Sequence, residues 1–192
     1  MTKLGWFIIG FIMLIVAAFV SMTSFGGSAK RSPDVASATV ATAVPGKLTV
    51  PVAGVKRNDL VRNWDDPRGG GTRPHHGLDI VAPSGTPVVA AASGMVEKLF
   101  QSGLGGTTVY VRSPDRRWTY YYAHLAGYAP GLSERRKVAA GETIGYVGDT
   151  GDAGPGNYHL HFGTTRTEPA HQWYQGQDVD PYPMLAAGGA GG

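Results

Sequence analysis

The sequence predicts an all-β domain, an antiparallel β-sheet or sandwich, preceded by one N-terminal hydrophobic helix. Three observations carry this. From residue 48 onward, short runs rich in β-branched and aromatic residues alternate with turn signals. The 29 glycines and 13 prolines are spread between those runs, as in a turn-rich β-domain and unlike a low-complexity chain. No stretch of the same region places apolar residues at helical spacing.

Residues 4–20 form an uncharged apolar run of 17 residues, LGWFIIGFIMLIVAAFV, just long enough to span a bilayer as a helix. The run is apolar all round, which argues against a helix packed in a soluble core. Residues 1–24 therefore read as a transmembrane anchor, or as a signal peptide cut near Gly27-Ser28-Ala29. The length of the run favours the anchor. Both readings send the following chain out of the cytoplasm. Residues 25–47, mostly Ser, Thr, Ala, Gly and Pro, read as a flexible linker.

The β-domain is expected over 48–185. Its strands are placed at 48–52, 78–81, 87–92, 95–100, 107–112, 119–124, 143–147 and 160–164, each bounded by a turn signal such as Pro83-Ser84-Gly85 or Ser113-Pro114-Asp115. The last residues, 186–192, are Gly and Ala and read as a disordered tail.

Composition excludes several chemistries. There is no cysteine, hence no disulfide framework, thiolate ligand or thiol nucleophile. The net charge of +3 suits an anionic envelope or polymer. No basic stripe interleaved with aromatics points to nucleic acid. The Gly69-Gly70-Gly71 loop is not followed by a Lys-Ser/Thr pair and a helix, so it is no phosphate cradle.

Histidines carry the remaining signal. In Tyr158-His159-Leu160-His161-Phe162, strand alternation projects His159 and His161 to one face, roughly 7 Å apart, and turns Leu160 and Phe162 into the core. In Arg73-Pro74-His75-His76-Gly77-Leu78-Asp79, His75 and Asp79 would lie about 13 Å apart on a straight strand. Sharing one ion therefore requires a bend, for which Gly77 is the natural place. In Thr119-Tyr120-Tyr121-Tyr122-Ala123-His124, alternation puts Tyr120, Tyr122 and His124 on one face. His, Asp and His as nitrogen and oxygen donors, with no thiolate, match a three-ligand zinc site that keeps a position for solvent. Two histidines are then left over to move protons or stabilise an oxyanion.

Together, His75-x-x-x-Asp79, Tyr122-Ala123-His124-Leu125 and His159-Leu160-His161-Phe162 resemble, in order, the three signature segments of the LytM/lysostaphin-type zinc peptidases, the M23 peptidase family. The flanks at 77–88, 91–94 and 141–151 are similar too, and the resemblance covers 48–185. It implies a LytM-like antiparallel β-fold. It implies that His75, Asp79 and His161 bind a single Zn2+, and that His124 and His159 are unligated catalytic histidines. It implies a zinc metalloendopeptidase acting on peptidoglycan cross-links, with walls for a substrate groove at 63–72 and 152–157; Tyr120 or Tyr122 fits its floor or, equally, the core. The stretch 149–158 departs from the family, with Ala-Gly-Pro-Gly-Asn-Tyr before the first histidine, which bears on groove shape and substrate preference.

The expected partners are peptidoglycan peptide stems, the membrane through the N-terminal helix, and an activator of unspecified kind; nucleic acid is not among them. The expected location is the cell envelope outside the cytoplasm. Two further readings follow from the same residues: a non-catalytic LytM-type regulator or wall-binding module, and a zinc peptidase of extracellular proteins.

Overall fold

The computed structural model describes residues 48–68 and 70–186. The N-terminal hydrophobic helix, the linker at 25–47 and the tail beyond Ala186 lie outside the described residues. Among the described residues, no helix is long and apolar enough to cross a membrane.

The strands in chain order are β1 (Pro67–Arg68), β2 (Arg73–Pro74), β3 (Leu78–Val81), β4 (Pro87–Val89), β5 (Gly94–Ser102), β6 (Gly106–Arg112), β7 (Trp118–Tyr128), β8 (Lys137–Val138), β9 (Thr143–Val147), β10 (His159–Arg166) and β11 (Gln177–Val179). Among the described residues one short α-helix, α1 (Tyr182–Ala186), follows β11. β1 and β2 form a separate hairpin. The remaining strands make one antiparallel sheet with the path β11-β10-β7-β6-β5-β8; β3 joins it through β10, and β4 through β9. The all-β, antiparallel expectation is met, with α1 and two single turns of 3-10 helix as the helical content of the described residues.

β10 organises the sheet. Its first half pairs with β3 on one side, and its length pairs with β7 on the other. The predicted alternation holds: Leu160 and Phe162 are fully buried. Phe162 packs against Tyr122, ring centroids 5.3 Å apart. Around them Ile80, Val88, Val109, Val111, Leu125, Ile144 and Val147 close the core. Nonpolar side chains thus fill the face opposite the histidines, and their burial fixes the register, because a one-residue slip would exchange the two faces.

One expected strand is corrected. The segment 48–52 runs alongside β4, with Thr49 N–H donating to Ala91 O at 2.8 Å and Val89 N–H to Pro51 O at 2.9 Å. It contributes only a bridge at Val52 and Val88. Pro51 lacks the N–H that a continuing ladder needs. At the same place Leu48 N–H donates to Met184 O at 3.1 Å. The Arg57 guanidinium donates to both the Leu48 and Leu185 carbonyls, tying the first described segment to α1.

The other side of the sheet holds a buried cation. Arg112, at the end of β6, is 1% exposed. It donates to Glu97, Thr167 and the carbonyls of His171 and Gln172, so its fork binds β5 to the loop between β10 and β11.

Candidate active site

β10 places His161 directly opposite Asp79 of β3 in the ladder, and His159 opposite Val81. Opposed residues of antiparallel strands share a face, so Asp79 and His161 meet without any loop. His75 arrives from the segment between β2 and β3. The chain bends at Gly77, as the sequence suggested, and the preceding His76 is left-handed, with φ +53°. Stacking of His76 on Trp64, ring centroids 5.0 Å apart, supports that left-handed residue.

The result is a tight cluster. His75 Nε2 lies 2.7 Å from Asp79 Oδ1 and 2.9 Å from His161 Nδ1, and His161 Nδ1 lies 3.1 Å from Asp79 Oδ1. His75 Nδ1–H donates to the Asn63 carbonyl at 2.7 Å, which leaves Nε2 as the lone-pair nitrogen. Two lone pairs and a carboxylate oxygen therefore point at one another, a juxtaposition that a shared cation balances.

His124 reaches the same place from β7 by a different device. Thr107 opposes Leu125, while Val109 opposes Tyr122, so β7 carries one extra residue there. His124 itself has φ +60°. This bulge breaks the expected alternation. Tyr120 and Tyr122 go into the core, and Tyr122 accepts the Ala91 N–H at 2.8 Å through its hydroxyl. His124 turns instead to the cleft, beside Tyr121. The expectation of Tyr120 or Tyr122 on the groove floor is thus corrected to Tyr121. His124 Nδ1–H donates to the Thr150 carbonyl and His159 Nδ1–H to the Asn157 carbonyl, both at 2.8 Å. The two rings sit 4.8 Å apart, and His159 Nε2 lies 3.8 Å from Asp79 Oδ1.

The five histidine and aspartate side chains line one cleft of ≈ 360 Å³. Its walls include Asp152, Ala153 and Asn157, as expected from sequence, and also Leu104 and Gly105, which were not foreseen. A second groove meets it at Arg68, Asp79, Asn157 and His159 and runs on past Leu60 and Val81.

With this geometry in view, comparison with known proteins is decisive. The sequence model of Peptidase family M23 matches residues 73–181. The chain belongs to peptidase family M23.

Among relatives of this M23 chain is the L-Ala--D-Glu endopeptidase of Bacillus subtilis, 37% identical over 130 residues, which are 65% of this chain and 38% of that protein. Peptidoglycan DD-endopeptidase ShyC of Vibrio cholerae is 42% identical over 94 residues, 48% of this chain and 20% of that protein. The chain thus spans well under half the length of these relatives. Among solved structures, the catalytic domain of the antimicrobial peptidase lysostaphin from Staphylococcus simulans aligns with TM-score 0.55 and 28% identity, covering 67% of this chain and 94% of that one.

M23 members are metallopeptidases, and the donor set here fits a divalent cation such as zinc. His75, Asp79 and His161 offer two imidazole nitrogens and a carboxylate oxygen, all within 4.8 Å of one another. Their protonation states suit the task. Burial alone would raise the Asp79 carboxyl, but the close His161 and His75 rings outweigh it and hold the group well below the usual carboxylate range. Burial lowers His124, against the pull of the Thr150 carbonyl, and lowers His161, against the pull of Asp79. Both rings are therefore neutral at pH 7, the form that offers a lone pair.

Several supporting residues were not legible in the sequence. Asn63 holds His75 through its carbonyl and the Asp79 N–H through its side chain at 3.2 Å. Thr150 and Asn157 fix the tautomers of His124 and His159 through backbone carbonyls, which no side-chain pattern announces. Arg68 pairs with Asp79 Oδ2. Gly77 has a role other than the bend: a Cβ there would fall 2.3 Å from His161 Cε1 and 2.6 Å from Nε2. Gly77→Ala must therefore push the imidazole aside. We expect zinc affinity to fall by about 10–100-fold, measured by competition with a chromogenic chelator, while far-ultraviolet circular dichroism stays unchanged.

Proposed function

We propose that this chain is a zinc-dependent endopeptidase that hydrolyses the peptide cross-links of peptidoglycan. The observation that carries the reading is the convergence of His75 Nε2, Asp79 Oδ1 and His161 Nδ1 at one point of a cleft that His124 and His159 also face. In this reading His75, Asp79 and His161 hold the metal. Zinc, when bound, supplies a Lewis acid that polarises the scissile carbonyl and acidifies water.

The chain's own residues supply the rest. Because Nδ1 of His159 and of His124 is committed to a carbonyl, the Nε2 of each is the basic nitrogen. As water adds to the carbonyl carbon, its proton passes to one Nε2 and from there to the departing amine nitrogen as the C–N bond breaks. The second ring steadies the oxyanion when its Nε2 carries a proton, as an N–H donor. The buried Nδ1 hydrogen bonds keep both rings from rotating during the exchange.

The relatives named as peptidoglycan endopeptidases support the substrate. The groove that runs away from the site on the Val81 side suits an extended peptide. Residues 48–185 form the catalytic domain, held at the outer face of the membrane by the apolar run 4–20 and given reach by 25–47. The test is mass spectrometry of muropeptides released from purified sacculi. Peptide release that stops with a chelator and returns with zinc is the expected result; no release with zinc present overturns the reading.

A further inference from the structure

Arg68 and Arg73 stand directly opposite one another in the β1–β2 hairpin. Their side chains therefore leave the hairpin on the same face, and both line the cleft that holds the histidines. They end in different settings. The Arg68 guanidinium pairs with Asp79 Oδ2 and lies 3.2 Å from His75 Nε2. It holds the second carboxylate oxygen and so turns Oδ1 toward His75 and His161. Arg68 is thus tied to the site's own machinery.

Arg73 is not. Its guanidinium crosses the mouth of the cleft to Asp152 at 2.7 Å, and both side chains are about two-fifths exposed, 42% and 41%. A pair this open to water contributes little to stability and separates readily. Asp152 lies on the turn Gly151–Ala153, on the wall facing the hairpin. The contact presents, inside a peptide-sized cleft, an arginine fork already engaged with a carboxylate that another carboxylate can replace.

We propose that Arg73 is the receptor for a free carboxylate of the substrate, which exchanges with Asp152 on binding, and that the substrates are peptides with an unamidated carboxyl group close to the scissile bond. Neutral cross-links, amidated or built from glycine alone, offer nothing to take the place of Asp152. Arg73 sets specificity here and takes no part in bond breaking. The inference rests on the peptidase reading, and it assigns to the Asp152 loop, where the chain departs from its family's usual sequence, a role in choosing substrate.

The test uses the full-length chain in detergent and two synthetic stem peptides, identical except that the carboxyl groups are free in one and amidated in the other. Binding is measured by calorimetry on a His159→Ala chain, and cleavage on the unsubstituted chain with zinc. The free acid should bind about 10-fold more tightly than the amide, as a charge-assisted fork requires. Arg73→Gln should erase that difference by weakening the acid alone. Arg73→Lys should retain part of it, since the charge remains without the fork. Asp152→Asn, which removes the internal competitor, should tighten the acid and leave the amide unchanged. Equal binding of the two peptides, binding of neither, or equal weakening of both by Arg73→Gln overturns the proposal. Acid-selective binding without any cleavage would instead sink the peptidase reading and leave the carboxylate site standing.

Discussion

His161→Ala should abolish both metal binding and peptide release, whereas His159→Ala should abolish release and keep the metal. The contrast follows from position on a single strand. His161 Nδ1 is within 3.1 Å of both His75 Nε2 and Asp79 Oδ1, so its loss removes one of three donors from the cluster. Loss of a direct ligand should exceed the roughly 10–100-fold cost of losing a supporting contact. His159 Nε2 stands 3.8 Å from Asp79 Oδ1, outside the cluster, with its other nitrogen held by Asn157. Removing it takes away a proton acceptor, a loss of about 10²–10⁴ in rate. Metal content by mass spectrometry under native conditions, read beside muropeptide release, separates the two. Stoichiometric zinc in His161→Ala, or its absence from His159→Ala, would reverse the assignment of the two rings. Because Leu160 and Phe162 fill the core between these positions, neither substitution to alanine disturbs the packed face, and both proteins should melt cooperatively.

The largest loss of stability is expected outside the cleft lining, at Arg112. Its side chain is buried, and its donors are spent on Glu97, Thr167 and the carbonyls of His171 and Gln172. In Arg112→Ala the Glu97 carboxylate keeps only Arg116, at 3.0 Å, while the His171 carbonyl keeps Arg116, at 3.5 Å, and the Gln172 carbonyl keeps the Gln175 N–H, at 3.1 Å. Stripping one partner from a buried charge pair costs about 3–5 kcal/mol. For a domain of this size each kcal/mol lowers Tm by roughly 2–4 °C, which a thermal melt will show. Arg112→Met, which replaces the volume but not the charge, should recover little, because the Glu97 carboxylate still lacks its buried partner. A melting temperature within 2 °C of the parent would show that water takes over these contacts.

What could be read from the sequence was whatever depends on period alone. Alternation across 158–162 sorted histidines from core residues on β10 and gave the correct face for each. The cluster of His75, Asp79 and His161 was accessible only through the resemblance to family M23, since strand spacing alone would hold His75 and Asp79 about 13 Å apart. The failures share a cause. His76, just before the bend at Gly77, and His124, in the bulge, are left-handed residues that strand periodicity does not mark, and each is stabilised by a distant partner: Trp64 stacked on His76, and the Gly105 carbonyl accepting the His124 N–H at 2.8 Å. Gly77 was singled out for its backbone freedom, yet what demands glycine there is an imidazole from 84 positions later in the chain lying against it. Arg68, Arg73 and Arg112 look alike as letters; only the folded sheet distinguishes a clamp on a carboxylate, a bridge across a cleft and a buried plug.

The knot at Arg57 has a consequence for how such a unit is deployed. Leu48 and Leu185 are held by one guanidinium, so the polypeptide enters and leaves the sheet through the same doorway. A fold with its entrance and exit side by side can be spliced between unrelated segments, or cut and rejoined elsewhere, without straining its interior. Circular permutants opened at the exposed Gly131 turn, with Leu48 and Leu185 joined by a short bridge, should fold as the parent does.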